Sequence, residues 1–252
     1  MRKLKLNLRA ETFDSGVLDL SYGRSRPDAA PLPQRGPPRS NVRASVETTS
    51  PITIAPANEA SWEDLEAVFG TRGDPSRCHC QRYKMQPGES WASVGAEELA
   101  FRLRAQTDCG HPESETTTGL VAYLDGEPVG WCAVEPRTAY PRLLLKARVP
   151  WEGRAEDKAD DGVWAVTCFV TRKGFRRRGI SRALARAAVD HAREHGARAL
   201  EGYPMLTASA GGILPGELHV GTRSVFAEAG FTEVGRPSVR RVVMRIDFQA
   251  RP

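Results

Sequence analysis

The chain has little that would tie it to a membrane, a disulfide framework or the secretory route. No apolar run approaches the roughly 18 residues that a membrane-spanning helix needs. Its 252 residues contain five cysteines, and an odd number fits a reducing compartment better than a set of paired disulfides. The first lysines are not followed by a continuous apolar segment, so we expect no secretory signal. We therefore expect a cytoplasmic protein with no membrane partner.

The chain also has little excess charge outside its first fifty residues. Residues 1–50 hold nine Lys and Arg against five Asp and Glu, whereas the other 202 residues hold 27 against 26. The same segment is rich in proline and poor in apolar groups, so burial would not offset the entropy of ordering it. We expect a flexible tail over residues 1–50 and one domain over residues 51–252. The basic charge alone does not indicate nucleic-acid binding. Nucleic-acid binding is the weakest of the three functions considered.

The centre of the domain is a strand, a basic turn and a helix. Val163–Val170 is apolar and rich in β-branched residues, which predicts a buried strand. The turn at 174–179 reads Gly-Phe-Arg-Arg-Arg-Gly. Apolar positions then recur at helical spacing: Ile180, Ala183, Leu184, Ala187, Ala188 and His191. A helix N-terminus beside three arginines offers free N–H groups and positive charge, which suit a phosphate or pyrophosphate. An ordinary solvated connection is the alternative.

The turn carries a resemblance to a known family. Arg176-x-x-Gly179-x-Ser181 is similar to the Gln/Arg-x-x-Gly-x-Gly/Ala loop of the GNAT superfamily of acetyl-CoA-dependent N-acyltransferases. In that family the preceding strand pairs with the pantetheine arm of the cofactor and the loop amides hold the pyrophosphate. Ser181 departs from the pattern, and its hydroxyl could cap the helix. The resemblance implies these cofactor-binding residues: Cys168, Phe169, Val170, Arg176, Arg177, Arg178, Gly179, Ile180 and Ser181.

The order of predicted elements over residues 52–248 matches the GNAT pattern as well. The resemblance implies an α/β fold with a mixed, mostly antiparallel central sheet flanked by helices. Residues 137–162 have no clear period and are predicted as an active-site loop or insertion. The other predicted elements are a strand from Ile52, a helix capped by Ser61 and Asp64, a helix over 96–104, a hairpin around Asp125-Gly126, a strand over 199–204, a helix over 222–229 and a strand over 240–246.

Acyl transfer to an amine needs a base for the amine and donors for the oxyanion. Glu201 and Tyr203 project to one face of a strand that follows the cofactor helix. We predict Glu201 as base, directly or through water, and Tyr203 or His219 as acid. The alternative has equal weight: Glu201 is a solvated charge at the end of the strand, and Tyr203 is a packing residue. Phe226 stands where many relatives carry the tyrosine that protonates the departing thiolate, so the resemblance implies that this acid is missing.

One cluster has residue types that bind metals. Cys78-His79-Cys80 is accompanied by Cys109 and His111, but its Cys-x-Cys spacing differs from the Cys-x-x-Cys of zinc knuckles. Direct acylation of an amine also has no step for a catalytic zinc. We expect buried thiols and no metal.

The predicted function is transfer of an acetyl or short acyl group from acetyl-CoA to an amine of a small molecule or peptide. Asp157, Asp160 and Asp161 could hold a cationic amine, although such a run of charge is more often a solvated face. Whether the chain forms a homodimer is left open by the sequence. The alternative function is a module that binds acyl-CoA without turnover, which Phe226 favours.

Overall fold

The computed structural model describes residues 51–207 and 215–249, so the predicted tail over residues 1–50 lies outside it. The described residues form a seven-stranded sheet in the order β1-β2-β3-β4-β5-β7-β6. All neighbours pair antiparallel except β4 and β5. The fold-class prediction is therefore confirmed. The strands are β1 (Ile52–Pro56), β2 (Gly119–Leu124), β3 (Glu127–Pro136), β4 (Val163–Thr171), β5 (Ala199–Gly202), β6 (Thr232–Ser238) and β7 (Arg241–Asp247).

Seven α-helices accompany the sheet in these residues, and none is long and apolar enough to cross a membrane. They are α1 (Trp62–Phe69), α2 (Asp74–Cys78), α3 (Trp91–Val94), α4 (Ala96–Thr107), α5 (Pro141–Leu145), α6 (Ile180–Glu194) and α7 (Arg223–Glu228). Short 3₁₀ turns cover Gln81–Tyr83, Arg137–Ala139 and Pro215–Val220.

Two local predictions are confirmed by backbone geometry. The Ser61 and Asp64 side chains each accept a hydrogen bond from the other's backbone N–H, so both halves of the capping box begin α1. Asp125 and Gly126 both have positive φ, at 54° and 78°, as a type I′ hairpin turn between β2 and β3 requires.

The structure contains elements that the sequence pattern did not predict. β6 reads Thr-Glu-Val-Gly-Arg-Pro-Ser, which lacks an alternation of apolar and polar residues. Its pairing with β7 also shifts register twice. α5 lies inside the predicted loop over 137–162, and its five residues are too few to show a helical period. This missed helix carries several side chains of the site described below.

The two faces of the sheet pack against different helices. α6 covers one face through Leu184, Ala188 and its other buried residues, whereas α1 and α4 cover the opposite face. On that opposite face, near the end of β5, a separate cluster is formed by Tyr140, Leu143, Ala165, Tyr203 and Val243. Since alternate strand residues face opposite ways, Leu200 packs towards α6 and Glu201 lies on the side of this cluster.

Candidate active site

The central feature of the site is an early separation of β4 from β5. The two strands pair only from Val163 opposite Ala199 to Val166 opposite Gly202. β4 continues to Thr171 along β3, but in the described chain no strand pairs with its other edge beyond Val166. The second half of β4 therefore presents backbone N–H and C=O groups to an extended ligand, as a sheet edge does.

A β-bulge lies where the separation begins. Ala133 of β3 pairs with Cys168, whereas the next residue, Val134, pairs with Val166. Thr167 is thus one extra residue in β4, and its side chain is buried. A bulge leaves backbone groups outside the ladder, so this point of β4 can offer a donor to a bound carbonyl oxygen.

The basic turn after β4 forms an open cradle at the start of α6. Gly179 is the N-cap residue, with φ 82°, and the turn has space around it. Arg176, Arg177 and Arg178 are exposed, and in the described chain they form no ion pair with an acid. The first N–H groups of a helix have no intrahelical acceptor, so cations and free donors lie together. These features suit a pyrophosphate.

Ser181 does not cap the helix, because it lies in the first turn of α6 and no side chain hydrogen-bonds to the N-terminus. The capping prediction is wrong. Phe175 orders the turn instead, since its ring lies beneath two guanidinium groups, Arg172 at 5.4 Å and Arg178 at 5.3 Å. This leaves Arg178 oriented by a cation–π contact.

Glu201 is fully buried and surrounded by donors. Its Oε1 contacts Arg154 at 2.5 Å and Arg245 at 2.8 Å, and its Oε2 contacts Arg137 at 3.3 Å. Tyr203 donates its hydroxyl to Oε2 at 2.9 Å. Burial alone would raise the pKa of Glu201, but the hydrogen bonds and charges of the three arginines outweigh it and lower that pKa. The carboxylate is held ionised with its lone pairs occupied, which disfavours proton abstraction. The base role predicted for Glu201 stays a prediction.

The arginines around Glu201 come from segments far apart in sequence. Arg137 follows β3 and is completely buried, Arg154 lies in the loop before β4, and Arg245 is on β7. Glu156 pairs with all three, at 2.9 to 3.5 Å. Sequence reasoning missed this cluster because its cations lie in three different segments.

The two predicted acids are held differently from what an acid needs. Tyr203 is buried, and burial together with the Glu201 charge raises its pKa well above the ordinary value. Nδ1 of His219 lies 2.7 Å from the Gly216 carbonyl oxygen, which only accepts, so Nδ1 carries the proton. Burial lowers the pKa of His219, so the ring is neutral, and its buried Nε2 is an acceptor that has no partner among residues 51–207 and 215–249. This tautomer suits a base or ligand contact better than an acid.

Phe226 fills the space behind the end of β5. It is completely buried and makes edge contacts with Phe169, at 5.8 Å between centroids, and with Phe231, at 5.0 Å. Its ring lies so close to Gly202 that a Cβ there would overlap it. Gly202 is therefore required for packing, and position 226 offers no hydroxyl for catalysis.

Glu135 is a second buried carboxylate that the sequence analysis did not single out. Its Oε2 lies 2.6 Å from Lys84 Nζ and accepts a hydrogen bond from Thr118. Burial raises the pKa of Glu135, and the charge of Lys84 opposes that effect without cancelling it. Glu135 pairs across β3 and β4 with Ala165, which on its other side pairs with Glu201. An acidic residue ending the apolar run Trp131–Val134 was the signal available in the sequence.

The side chains considered for a metal or for a cationic amine have other partners. Among residues 51–207 and 215–249, no group of three or more His, Cys, Asp or Glu could hold a metal ion. Trp131 donates its indole N–H to Cys80 Sγ at 3.0 Å, and burial raises the pKa of Cys78 to about 11. Asp160 pairs with Arg198, and Asp157 accepts the Ala159 N–H at 2.9 Å.

Comparisons with known proteins agree with this architecture. Residues 81–203 match the model of the acetyltransferase (GNAT) family. No curated protein sequence matches the chain at a significant level. Among solved structures, PH1933 from Pyrococcus horikoshii aligns with 79% of this chain and 100% of its own, at 17% sequence identity and a TM-score of 0.41. A GNAT-family acetyltransferase from Streptococcus pneumoniae aligns with 79% of this chain and 100% of its own, at 15% sequence identity and a TM-score of 0.43.

The PaiA N-acetyltransferase from Thermoplasma acidophilum in complex with coenzyme A also aligns, at 14% identity over 79% of this chain and 99% of its own, with a TM-score of 0.42. The matched segment 81–203 includes the β4 edge, the basic turn and α6. The match identifies residues 81–203 of this chain as similar to the acetyltransferase (GNAT) family, whose enzymes use acetyl-CoA as substrate and act on amine acceptors.

Proposed function

We propose that this chain transfers the acetyl group of acetyl-CoA to an amine by direct attack of the amine on the thioester. The observation that carries the proposal is the free edge of β4 beyond Val166, next to the basic N-terminus of α6. The pantetheine arm would pair with this edge along Cys168–Val170. The pyrophosphate would lie at 176–181, where arginine side chains and first-turn N–H groups are together.

The bulge at Thr167 supports a place for the acetyl carbonyl. Negative charge develops on the carbonyl oxygen as the amine attacks, and an oriented backbone N–H in a buried site stabilises that charge. The N–H groups at the bulge meet both conditions, because they lie at the free edge and among buried side chains.

For the base we propose Glu135 rather than Glu201. A carboxylate whose pKa is raised takes a proton from an ammonium group more readily than one whose pKa is lowered. The pKa of Glu135 is raised and that of Glu201 is lowered, although both flank Ala165. Glu201 then has a positioning role: it fixes the Tyr203 hydroxyl and three arginines. His219, whose Nε2 has no hydrogen-bond partner in the part of the chain that the structure describes, is the second candidate for the base.

Release of CoA thiol from acetyl-CoA with a panel of amines tests the activity. Arg178→Glu places a like charge at the proposed pyrophosphate site and should weaken acetyl-CoA binding measured by calorimetry. Arg186→Glu is the matched control, since Arg186 is an exposed residue further along α6. Unchanged acetyl-CoA affinity in Arg178→Glu would contradict the proposed donor site.

The same experiment separates the alternative function. An acyl-CoA-binding module would bind acetyl-CoA tightly and release no thiol with any amine. Thiol release that depends on both acetyl-CoA and an amine would exclude that alternative. The cytoplasmic location and a homodimer remain predictions from the sequence.

A further inference from the structure

A cavity of about 340 Å³ opens on the face of the sheet opposite α6. Its floor includes Tyr203 and Leu143, which belong to the cluster around Ala165, between Glu135 and Glu201. α6 packs against the other face, so the cavity is separate from the proposed pyrophosphate cradle. The complete lining is Arg82, Tyr83, Trp91, Arg142, Leu143, Lys146, Ala147, Arg148, Val149, Pro150, Tyr203 and Arg241.

The lining contains five cationic side chains and no acidic one. Among the described residues only one of these cations, Arg148, forms a salt bridge, to Glu152 at 2.9 Å. Arg82, Arg142, Lys146 and Arg241 have no carboxylate oxygen within salt-bridge distance there. The charge of Arg142 acts on Glu89, but Glu89 is paired with Arg102. The five like charges of the lining repel each other, and a bound anion would relieve that repulsion.

Two of these cations are fixed in place, which distinguishes the cavity from a solvated basic surface. Arg241 is half-buried, and it donates from Nε and Nη2 to the Tyr203 carbonyl oxygen at 3.1 and 2.6 Å. Arg142 is also half-buried, with Nη1 3.3 Å from Met85 Sδ and Nη2 3.4 Å from the Glu89 carbonyl oxygen. A guanidinium already ordered by backbone contacts loses little entropy when it binds a carboxylate or phosphate.

The fixed arginines lie next to the proposed reaction centre. Tyr203 forms part of the cavity wall, and its hydroxyl hydrogen-bonds to Glu201. His219 is close enough for the charges of Arg82 and Arg241 to lower its pKa, after the larger effect of burial. An acceptor whose anionic groups bind these arginines would therefore have its amine near the end of β5, where β4 and β5 separate.

From this charge and placement we infer that the acceptor is a small amine with at least two negative charges, carried by carboxylates or by a phosphate group. This inference rests on the proposed acyl transfer and narrows its substrate. It is the opposite of the cationic amine that the run Asp157–Asp161 suggested. Two of those aspartates already have partners within the protein. The volume admits a molecule of amino-acid size.

The test is steady-state kinetics of the full chain with acetyl-CoA and amines matched in shape but not in charge. Glutamate is compared with glutamine, phosphoethanolamine with ethanolamine, and lysine supplies the cationic case. We expect kcat/KM for at least one dianionic amine to exceed that of its matched neutral amine by about tenfold or more, with added salt reducing the difference. The two pairs show whether a dicarboxylate or a phosphate is preferred.

Two variants locate the effect. Arg142→Gln and Arg241→Gln should each raise KM for the dianionic amine by about 10- to 100-fold, the value of a charged hydrogen bond, and leave KM for acetyl-CoA unchanged. Arg186→Gln is the control, with both constants unchanged. A rise in KM for acetyl-CoA instead would assign the cavity to the donor and overturn the inference.

The outcomes also separate this inference from the proposed function. Equal or better turnover of glutamine, ethanolamine or lysine would overturn the dianionic acceptor and leave acyl transfer standing. Where no amine turns over, calorimetry of glutamate and phosphoethanolamine with the CoA-saturated protein decides. Binding that Arg241→Gln abolishes supports the cavity assignment while the transfer proposal fails, and absence of binding overturns the cavity assignment.

Discussion

Glu135 and Glu201 lie on either side of Ala165, on the same face of the sheet, and their environments differ sharply. Glu201 contacts three arginines and a tyrosine hydroxyl, whereas Glu135 contacts one lysine and one threonine. Burial acts to raise the pKa of both carboxylates, but only around Glu201 do the hydrogen bonds and charges of the arginines outweigh burial and lower the pKa. Two residues of one type at similar depth can therefore differ in function, one suited to take a proton and the other to hold a structure together.

The largest expected difference between the two sites is in turnover. Glu135→Gln removes the carboxylate proposed to deprotonate the amine, and loss of a general base costs about 10²- to 10⁴-fold in kcat. The loss should be greatest at low pH, because rising pH deprotonates the amine without help. Thiol-release rates across pH, with acetyl-CoA affinity as the control for folding, measure it. A Glu135→Gln profile that overlays the parent, beside a Glu201→Gln profile that loses its acidic limb, would restore Glu201 as base.

On stability, the substitution of Glu201 should have a larger effect than the substitution of Glu135. Glu201→Gln leaves three buried or half-buried guanidinium groups with only the more exposed Glu156 as a shared carboxylate, which we expect to cost about 3–5 kcal/mol of unfolding free energy. Glu135→Gln leaves only Lys84 without its partner and should cost about 1–3 kcal/mol. Urea unfolding of both variants measures the difference. A Glu135→Gln chain that is the less stable of the two would contradict the structural role given to Glu201.

The pH dependence of stability should also have opposite signs at the two sites. Since the pKa of Glu201 is lowered on folding, its stabilising contribution is present above the ordinary value of 4.5 and is lost as pH falls through the lowered pKa. For Glu135, with its raised pKa, protonation begins in the folded state first. The parent should therefore gain stability relative to Glu135→Gln as pH falls from that raised pKa towards 4.5. Urea unfolding of parent and variants between pH 3 and 7, in the ranges those pKa directions give, compares the slopes; equal slopes would contradict the opposite pKa shifts.

The smallest expected effect concerns the tyrosine near each carboxylate. Tyr140 is completely buried, and its hydroxyl lies near Glu135 and Thr167 without a well-aligned hydrogen bond to either, so Tyr140→Phe should change the unfolding free energy by less than about 0.5 kcal/mol. Tyr203→Phe removes the donor to Glu201 and should cost about 1–2 kcal/mol. Thermal unfolding of the two variants tests this. Equal losses would show that the Tyr140 hydroxyl has a partner in solution.

The sequence predicted the elements whose signals are local. The strand before the basic turn, α6, the Ser61 capping box and the Asp125-Gly126 turn depend on residues close together in the chain, and all are present. β6 was missed, because as an edge strand it keeps no apolar alternation. The α6 face was only partly predicted: Ala185 and Ala192 are buried, whereas Ala183 and Ala187 lie at its border.

The candidate site was harder to predict, because its parts come together only through the sheet. Glu201 was recognised as notable from its neighbour Tyr203, but its arginine partners lie 44 to 64 residues away. Glu135 and Lys84 are 51 residues apart in the sequence and meet only through the tertiary fold. The cavity has a similar origin, since α5 and Arg241 are a hundred residues apart. No spacing of neighbouring residues in the sequence indicates these long-range contacts.

The short pairing of β4 with β5 has one further consequence. Four residue pairs join a half-sheet of β1–β4 to a second half-sheet of β5, β7 and β6. Beyond those four pairs the edge of β4 is unpaired in the described chain, and a donor whose pantetheine arm lies along it would act as a removable eighth strand. Those amide hydrogens at 167–171 that do not bond to β3 would then exchange with solvent slowly only while the donor is bound, and each cycle of product release would expose them again.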